Sequence, residues 1–120
     1  KLGAEKCVGI EIEPNAVKSA NENILKNNVQ EKIMLINDTF NQSLIPNIKF
    51  NLVIANISTK IILETFEKLD FNLEKSGNMI LSGILKDSFH QVETQIKKFK
   101  YQIDELLTEN DWIAVRITKN

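Results

Sequence analysis

Residues that usually announce chemistry are scarce in this chain. Cysteine and histidine occur once each, as Cys7 and His90, so the chain can form no internal disulfide and offers no paired Cys/His ligands for a metal. Cys7 sits in an apolar strand-like pattern with no helix terminus or histidine near it in sequence, and it is expected to pack as a small hydrophobe. No apolar run approaches the roughly 20 residues that a membrane-spanning helix requires. The opening Lys1-Leu2-Gly3-Ala4-Glu5-Lys6 lacks the layout of a signal peptide, so a cytoplasmic protein with no membrane partner is expected. An excess of either charge is missing too: 15 basic and 16 acidic residues leave a net charge of -1. Without a long basic run, nucleic-acid binding driven by phosphate contacts is not expected. Four glycines and two prolines are too few for a linker. With no repeat or low-complexity tract either, residues 1–120 read as one domain or part of one.

What is present is an alternation of apolar runs and amphipathic stretches, and 120 residues that are 42% hydrophobic suffice for one core. Leu2-Gly3-Ala4 reads as a helix end closed by Gly3 in the left-handed conformation. Residues 6–12 form the first expected strand. Pro14 suits the first turn of a helix, and Ala16, Val17, Ala20 and Ile24 recur at helical spacing up to Asn27-Asn28. Ile33-Met34-Leu35-Ile36 predicts a strand buried on both faces and ends at Asn37-Asp38. After a loop containing Pro46, Leu52-Val53-Ile54-Ala55 predicts another strand, ending at Asn56. Ser58 then N-caps a helix carrying Ile62, Phe66 and Leu69. Glu74-Lys75-Ser76-Gly77-Asn78 reads as a turn into the strand Met79-Ile80-Leu81-Ser82-Gly83. The next helix has Phe89, Val92, Ile96 and Phe99 on one stripe, which places His90 on a solvated face. Residues 101–107 and 112–118 are two strand-like runs joined by a short connection, which makes a hairpin.

The predicted class is therefore α/β: a Rossmann-like, class I methyltransferase sheet, mostly parallel, ending in an antiparallel hairpin. Glu11 stands at the carboxyl end of the first strand, where an acidic side chain in such sheets accepts hydrogen bonds from a nucleoside's ribose hydroxyls. Glu13 is accounted for by the favourable positive end of the helix that follows it. Trp112 is read as a packing residue of the hairpin rather than a cofactor platform.

Taken in order, Leu2-Gly3-Ala4, Val8-Gly9-Ile10-Glu11-Ile12-Glu13-Pro14-Asn15-Ala16, Leu52-Val53-Ile54-Ala55-Asn56-Ile57 and Ile80-Leu81-Ser82-Gly83-Ile84-Leu85 resemble the catalytic domain of the ribosomal protein L-eleven methyltransferases. The resemblance spans essentially the whole chain. It implies methyl transfer from S-adenosylmethionine to amino groups of a large-subunit ribosomal protein, at the N-terminal amine and at lysines. It also implies that Asn56 orients the acceptor amine. Glu11 would bind the ribose, Asp38 or else Asn37 the adenine amine, and Ile12 would flank the base.

The sequence departs from the family in two places. Asn51 stands where an acidic residue usually opens that strand, and the ribose ligand is Glu rather than the commoner Asp. The first, central strand of that fold and its glycine-rich loop are not among the 120 residues. The expectation is a partial catalytic domain that binds S-adenosylmethionine very weakly by itself. The alternatives are a non-catalytic remnant or partner-binding module that retains the fold, and a nicotinamide-dependent oxidoreductase. The latter explains neither Asn56 nor the hairpin.

Overall fold

The computed structural model describes residues 3–38 and 48–120, which contain six strands, three α-helices and a short 3-10 turn at Lys86–Ser88. The expected helix end at Leu2 and the loop at Pro46 lie outside the described residues. The chain divides into two compact units, Lys1–Phe40 and Asn41–Asn120.

The first unit is a single β-α-β turn: β1 (Cys7–Ile10), α1 (Pro14–Lys26) and β2 (Ile33–Ile36). The strands run parallel in register from Cys7 opposite Ile33 to Ile10 opposite Ile36. Pro14 opens the helix as its spacing predicts, because an N–H missing from the first turn would have no intrahelical partner. Ala16, Val17, Ala20 and Ile24 are the less exposed positions of α1, in agreement with the apolar stripe. Gly3 adopts the left-handed φ of +101°. Two expectations fail in this unit. Met34 is 56% exposed, so β2 is not buried on both faces. Cys7 is exposed as well. In each case two strands and one helix supply too few layers to enclose an apolar residue from both sides.

The second unit holds every fully buried apolar residue among those described. Its strands are β3 (Phe50–Asn56), β4 (Leu73–Leu85), β5 (Tyr101–Glu109) and β6 (Trp112–Lys119), ordered β3-β4-β6-β5. β3 pairs with β4 in parallel, and β6 pairs antiparallel with both β4 and β5, so the hairpin reads correctly from sequence. The helices α2 (Thr59–Phe71) and α3 (Phe89–Lys98) pack on the sheet with Ile62, Phe66, Leu69, Val92 and Ile96 buried. Phe66 meets the Phe99 ring at 5.2 Å and the Tyr101 ring edge-on at 5.5 Å. His90 is off the fully buried stripe.

Three details differ from the sequence reading. The expected turn at residues 74–78 lies inside β4: from the Phe50–Leu73 pair to the Leu52–Asn78 pair, β3 advances 2 residues and β4 advances 5. Ser76 takes φ of +64°, and Gly77 allows the Leu73 side chain to approach, so the extra residues bulge out without ending the strand. Next, the run Leu52–Ala55 repeats the apolar pattern of Ile33–Ile36 and so predicts burial on both faces, yet β3 lies at the edge of its sheet and Ile54 is 65% exposed, with only Val53 and Ala55 pointing inward. Finally, the hairpin connection shortens to two residues because Asn110 accepts φ of +54°.

Candidate functional site

In the first unit the polar residues gather at the carboxyl ends of β1 and β2. The ladder runs one residue past β1, with the Glu11 N–H donating to the Ile36 carbonyl at 2.9 Å. The chain then turns into α1, for which Glu13 is the N-cap residue. One oxygen of the Glu11 carboxylate, Oε2, accepts the Ile12 N–H at 3.1 Å, which fixes the direction of the carboxylate at the strand end. Ile12 is 57% exposed beside it.

Asn37 is the first residue after β2. In the amide orientation that satisfies both its ends, its nitrogen donates to the main-chain carbonyls of Glu11 (3.0 Å) and Ile12 (3.1 Å). Asn37 therefore ties the end of β2 to the segment that carries Glu11. Asp38 follows it and is exposed.

In the second unit Asn56 is the last residue of β3, exposed and in register with Ser82 of β4. Next to Ser82, Gly83 takes φ of +77°, which a residue with a side chain adopts only at a cost. A Cβ at Gly83 would lie 2.8 Å from the Ile57 carbonyl oxygen and 3.0 Å from Asn56 Oδ1. Two uncharged oxygen acceptors thus converge on the space over one glycine.

The loops behind this spot are tethered. Ser58 Oγ accepts the Ile61 N–H at 3.4 Å at the start of α2, as its position predicts. Thr59 Oγ1, buried, accepts the Leu85 N–H at 3.3 Å and so joins the segment after β3 to the end of β4. Sequence reasoning assigned no role to Thr59 and used Gly83 only as part of a motif. A glycine within a strand pattern was the available signal for Gly83. Thr59 gave none, since a buried hydroxyl at a helix start looks the same as an exposed one.

Parallel β-α units with polar residues at the strand ends, closed by an antiparallel hairpin, define a class I methyltransferase-type fold. The model of the ribosomal protein L11 methyltransferase (PrmA) family matches residues 1–120, and the chain belongs to that family. It is 35% identical to the ribosomal protein L11 methyltransferase of Thermosipho africanus over 98% of this chain and 41% of that relative. With the Staphylococcus epidermidis protein of the same name it shares 32% over 95% of this chain and 36% of that one. The chain thus spans about two fifths of the length of these curated relatives. The crystal structure of a ribosomal protein L11 methylase from Lactobacillus delbrueckii subsp. bulgaricus superposes with a TM-score of 0.85 at 28% identity, covering 99% of this chain and 61% of that one. A precorrin-6y methyltransferase from Geobacter metallireducens shares the fold alone, with a TM-score of 0.77 at 14% identity over 96% of this chain and 68% of that one.

Proposed function

We propose that this chain contributes to S-adenosylmethionine-dependent methylation of amino groups on ribosomal protein L11, at its N-terminal amine and at lysines. The observation that carries the reading is the convergence of Asn56 Oδ1 and the Ile57 carbonyl over Gly83. An amine attacks a methyl group only when neutral and correctly aimed, so the site's task is to hold N–H groups and point the nitrogen lone pair. Two carbonyl oxygens do this by accepting N–H bonds, and they favour the unreactive ammonium less than a carboxylate would. The ammonium formed on methylation then releases a proton to solvent.

The strand ends of the first unit suit a nucleoside. One Glu11 oxygen accepts a main-chain N–H, and a carboxylate has lone pairs left for ribose hydroxyls. Exposed Ile12 offers an apolar flank for a base, and Asp38 an acceptor for an exocyclic amine. Asn37, with its amide nitrogen on the main chain, acts as a positioning residue for Glu11 rather than as a ligand. When bound, S-adenosylmethionine supplies the electrophilic sulfonium methyl.

Transfer of labelled methyl to purified ribosomal protein L11 tests the reading, using the chain supplemented with the amino-terminal portion of a longer relative. Asn56→Ala is expected to lower turnover about 100-fold, the cost of losing alignment at a reacting centre. Turnover unchanged by that substitution would refute the role of Asn56, and a complex permanently inert with Asn56 intact would favour a non-catalytic partner-binding module.

A further inference from the structure

Beside the Asn56–Gly83 spot, at the hairpin end of the second unit, lies an open cavity of about 200 Å³. We propose that it is a docking subsite for a lysine side chain of the acceptor polypeptide, with Glu109 and Trp112 holding the ammonium and apolar walls holding the methylenes. The proposal rests on the amine-acceptor reading of Asn56, to which it adds the residues that capture the acceptor.

Register places the groups together. Glu109 pairs directly with Trp112, and Leu107 with Ala114, across the β5–β6 ladder. Cross-strand partners, and residues two apart on a strand, share a face. All four line the cavity, together with Gly83, Ser82 and Ile113. Trp112 is 53% exposed and Leu107 61% exposed, so the sequence expectation that Trp112 chiefly packs the hairpin is only partly met. The lining is mostly apolar, with Leu107, Trp112, Ile113 and Ala114 around a single charge.

The charge selects the occupant. Among the described residues Glu109 is the one ionisable group lining the cavity, and it is the cross-strand partner of Trp112, a pair that suits a cation on an apolar stem. Lysine is cationic at neutral pH, with an ordinary pKa of about 10.4. Its resting form is attracted by a carboxylate, which the Asn56–Ile57 pair lacks. Gly83 belongs to both places: it lines the cavity, and the position of its absent Cβ meets Asn56 Oδ1. Capture and alignment thus adjoin through one glycine.

Trp112 is the only tryptophan of the chain, so emission excited selectively at the indole, beyond the absorption of Tyr101, reports on this cavity. Titration of the 120-residue protein with Nα-acetyl-lysine methylamide is expected to give a saturable change. Nα-acetyl-norleucine methylamide, which keeps the four-carbon stem and lacks the ammonium, is expected to bind about three- to fivefold more weakly, and Glu109→Gln to remove that discrimination, as for a partly exposed charge pair. No saturable change, equal responses to the two probes, or a lysine response unaffected by Glu109→Gln would overturn the proposal. The readout involves no methyl transfer, so a negative result leaves the Asn56 assay standing. Conversely, the lysine response is expected to persist in Asn56→Ala.

Discussion

Gly83 concentrates the residue-scale argument, because its backbone conformation and its missing side chain are both needed in one place. A methyl group there would force the left-handed φ on an L-residue and would crowd Asn56 Oδ1 and the Ile57 carbonyl. Gly83→Ala is therefore expected to destabilise the protein by about 1–3 kcal/mol, measured by urea denaturation, and to reduce methyl transfer beyond what the stability loss explains. Legibility at this scale is divided. Glu11 and Asn56 could be picked out because a polar residue ending an apolar run leaves a mark on the chain. The tie from Asn37 to the Glu11 and Ile12 carbonyls, and the bond from Leu85 to Thr59, could not, since each depends on where a second strand end falls. Cys7 was misread because apolar neighbours in sequence do not supply a second packing layer.

At the scale of elements, local signals and tertiary burial carry different weights. Ser58 caps α2 through a long 3.4 Å bond, so Ser58→Ala is expected to cost only about 0.5 kcal/mol. Ile96 of α3 is fully buried against the sheet, and Ile96→Ala is expected to cost about 2–5 kcal/mol through lost transfer energy and the cavity left behind. Chemical denaturation of the two variants side by side checks the order; equal losses would mean that the α3 stripe is not packed as described. The elements themselves were largely legible: α1, β2 and the hairpin follow from periodicity. The bulge in β4 was not, because Ser76-Gly77 would serve equally well as a turn between strands. Only the pairing of Leu73 and of Asn78 with β3, on either side of the bulge, keeps the strand continuous there.

Across the whole molecule, a polar cluster fastens the hairpin of the second unit to the end of α2. The Tyr101 hydroxyl donates to Asp70 Oδ1 at 2.7 Å. Lys119 Nζ lies 3.3 Å from the same carboxylate oxygen and donates to the carbonyls of Asp70 (2.7 Å) and Leu73 (2.8 Å). A cation at those carbonyls also opposes the negative end of the helix dipole. Burial first, then the hydrogen bond to Asp70 and the charge of Asp70, push the Tyr101 phenol well above the ordinary tyrosine range. The unfolded chain ionises this phenol near pH 10, whereas the folded chain keeps the proton, so its contribution is intact below that pH. Stability is expected to fall as pH rises beyond about 10. In Tyr101→Phe the protein should be about 1 kcal/mol less stable at neutral pH, with a shallower alkaline decline. Thermal melts between neutral pH and about pH 11 measure both, and an unchanged slope would rule out Tyr101 as the source.

By itself the sequence determined the β-α alternation, the closing hairpin, the family and the polar strand ends Glu11 and Asn56, because hydrophobic period, caps and short connections are properties of neighbouring residues. Tertiary structure alone decided which apolar runs are covered, that Asn37 braces Glu11, and that Gly83 stands between Asn56 and the Glu109–Trp112 cavity. Those outcomes depend on register and layering between segments far apart in the chain, where a shift of one residue would turn each side chain to the opposite face.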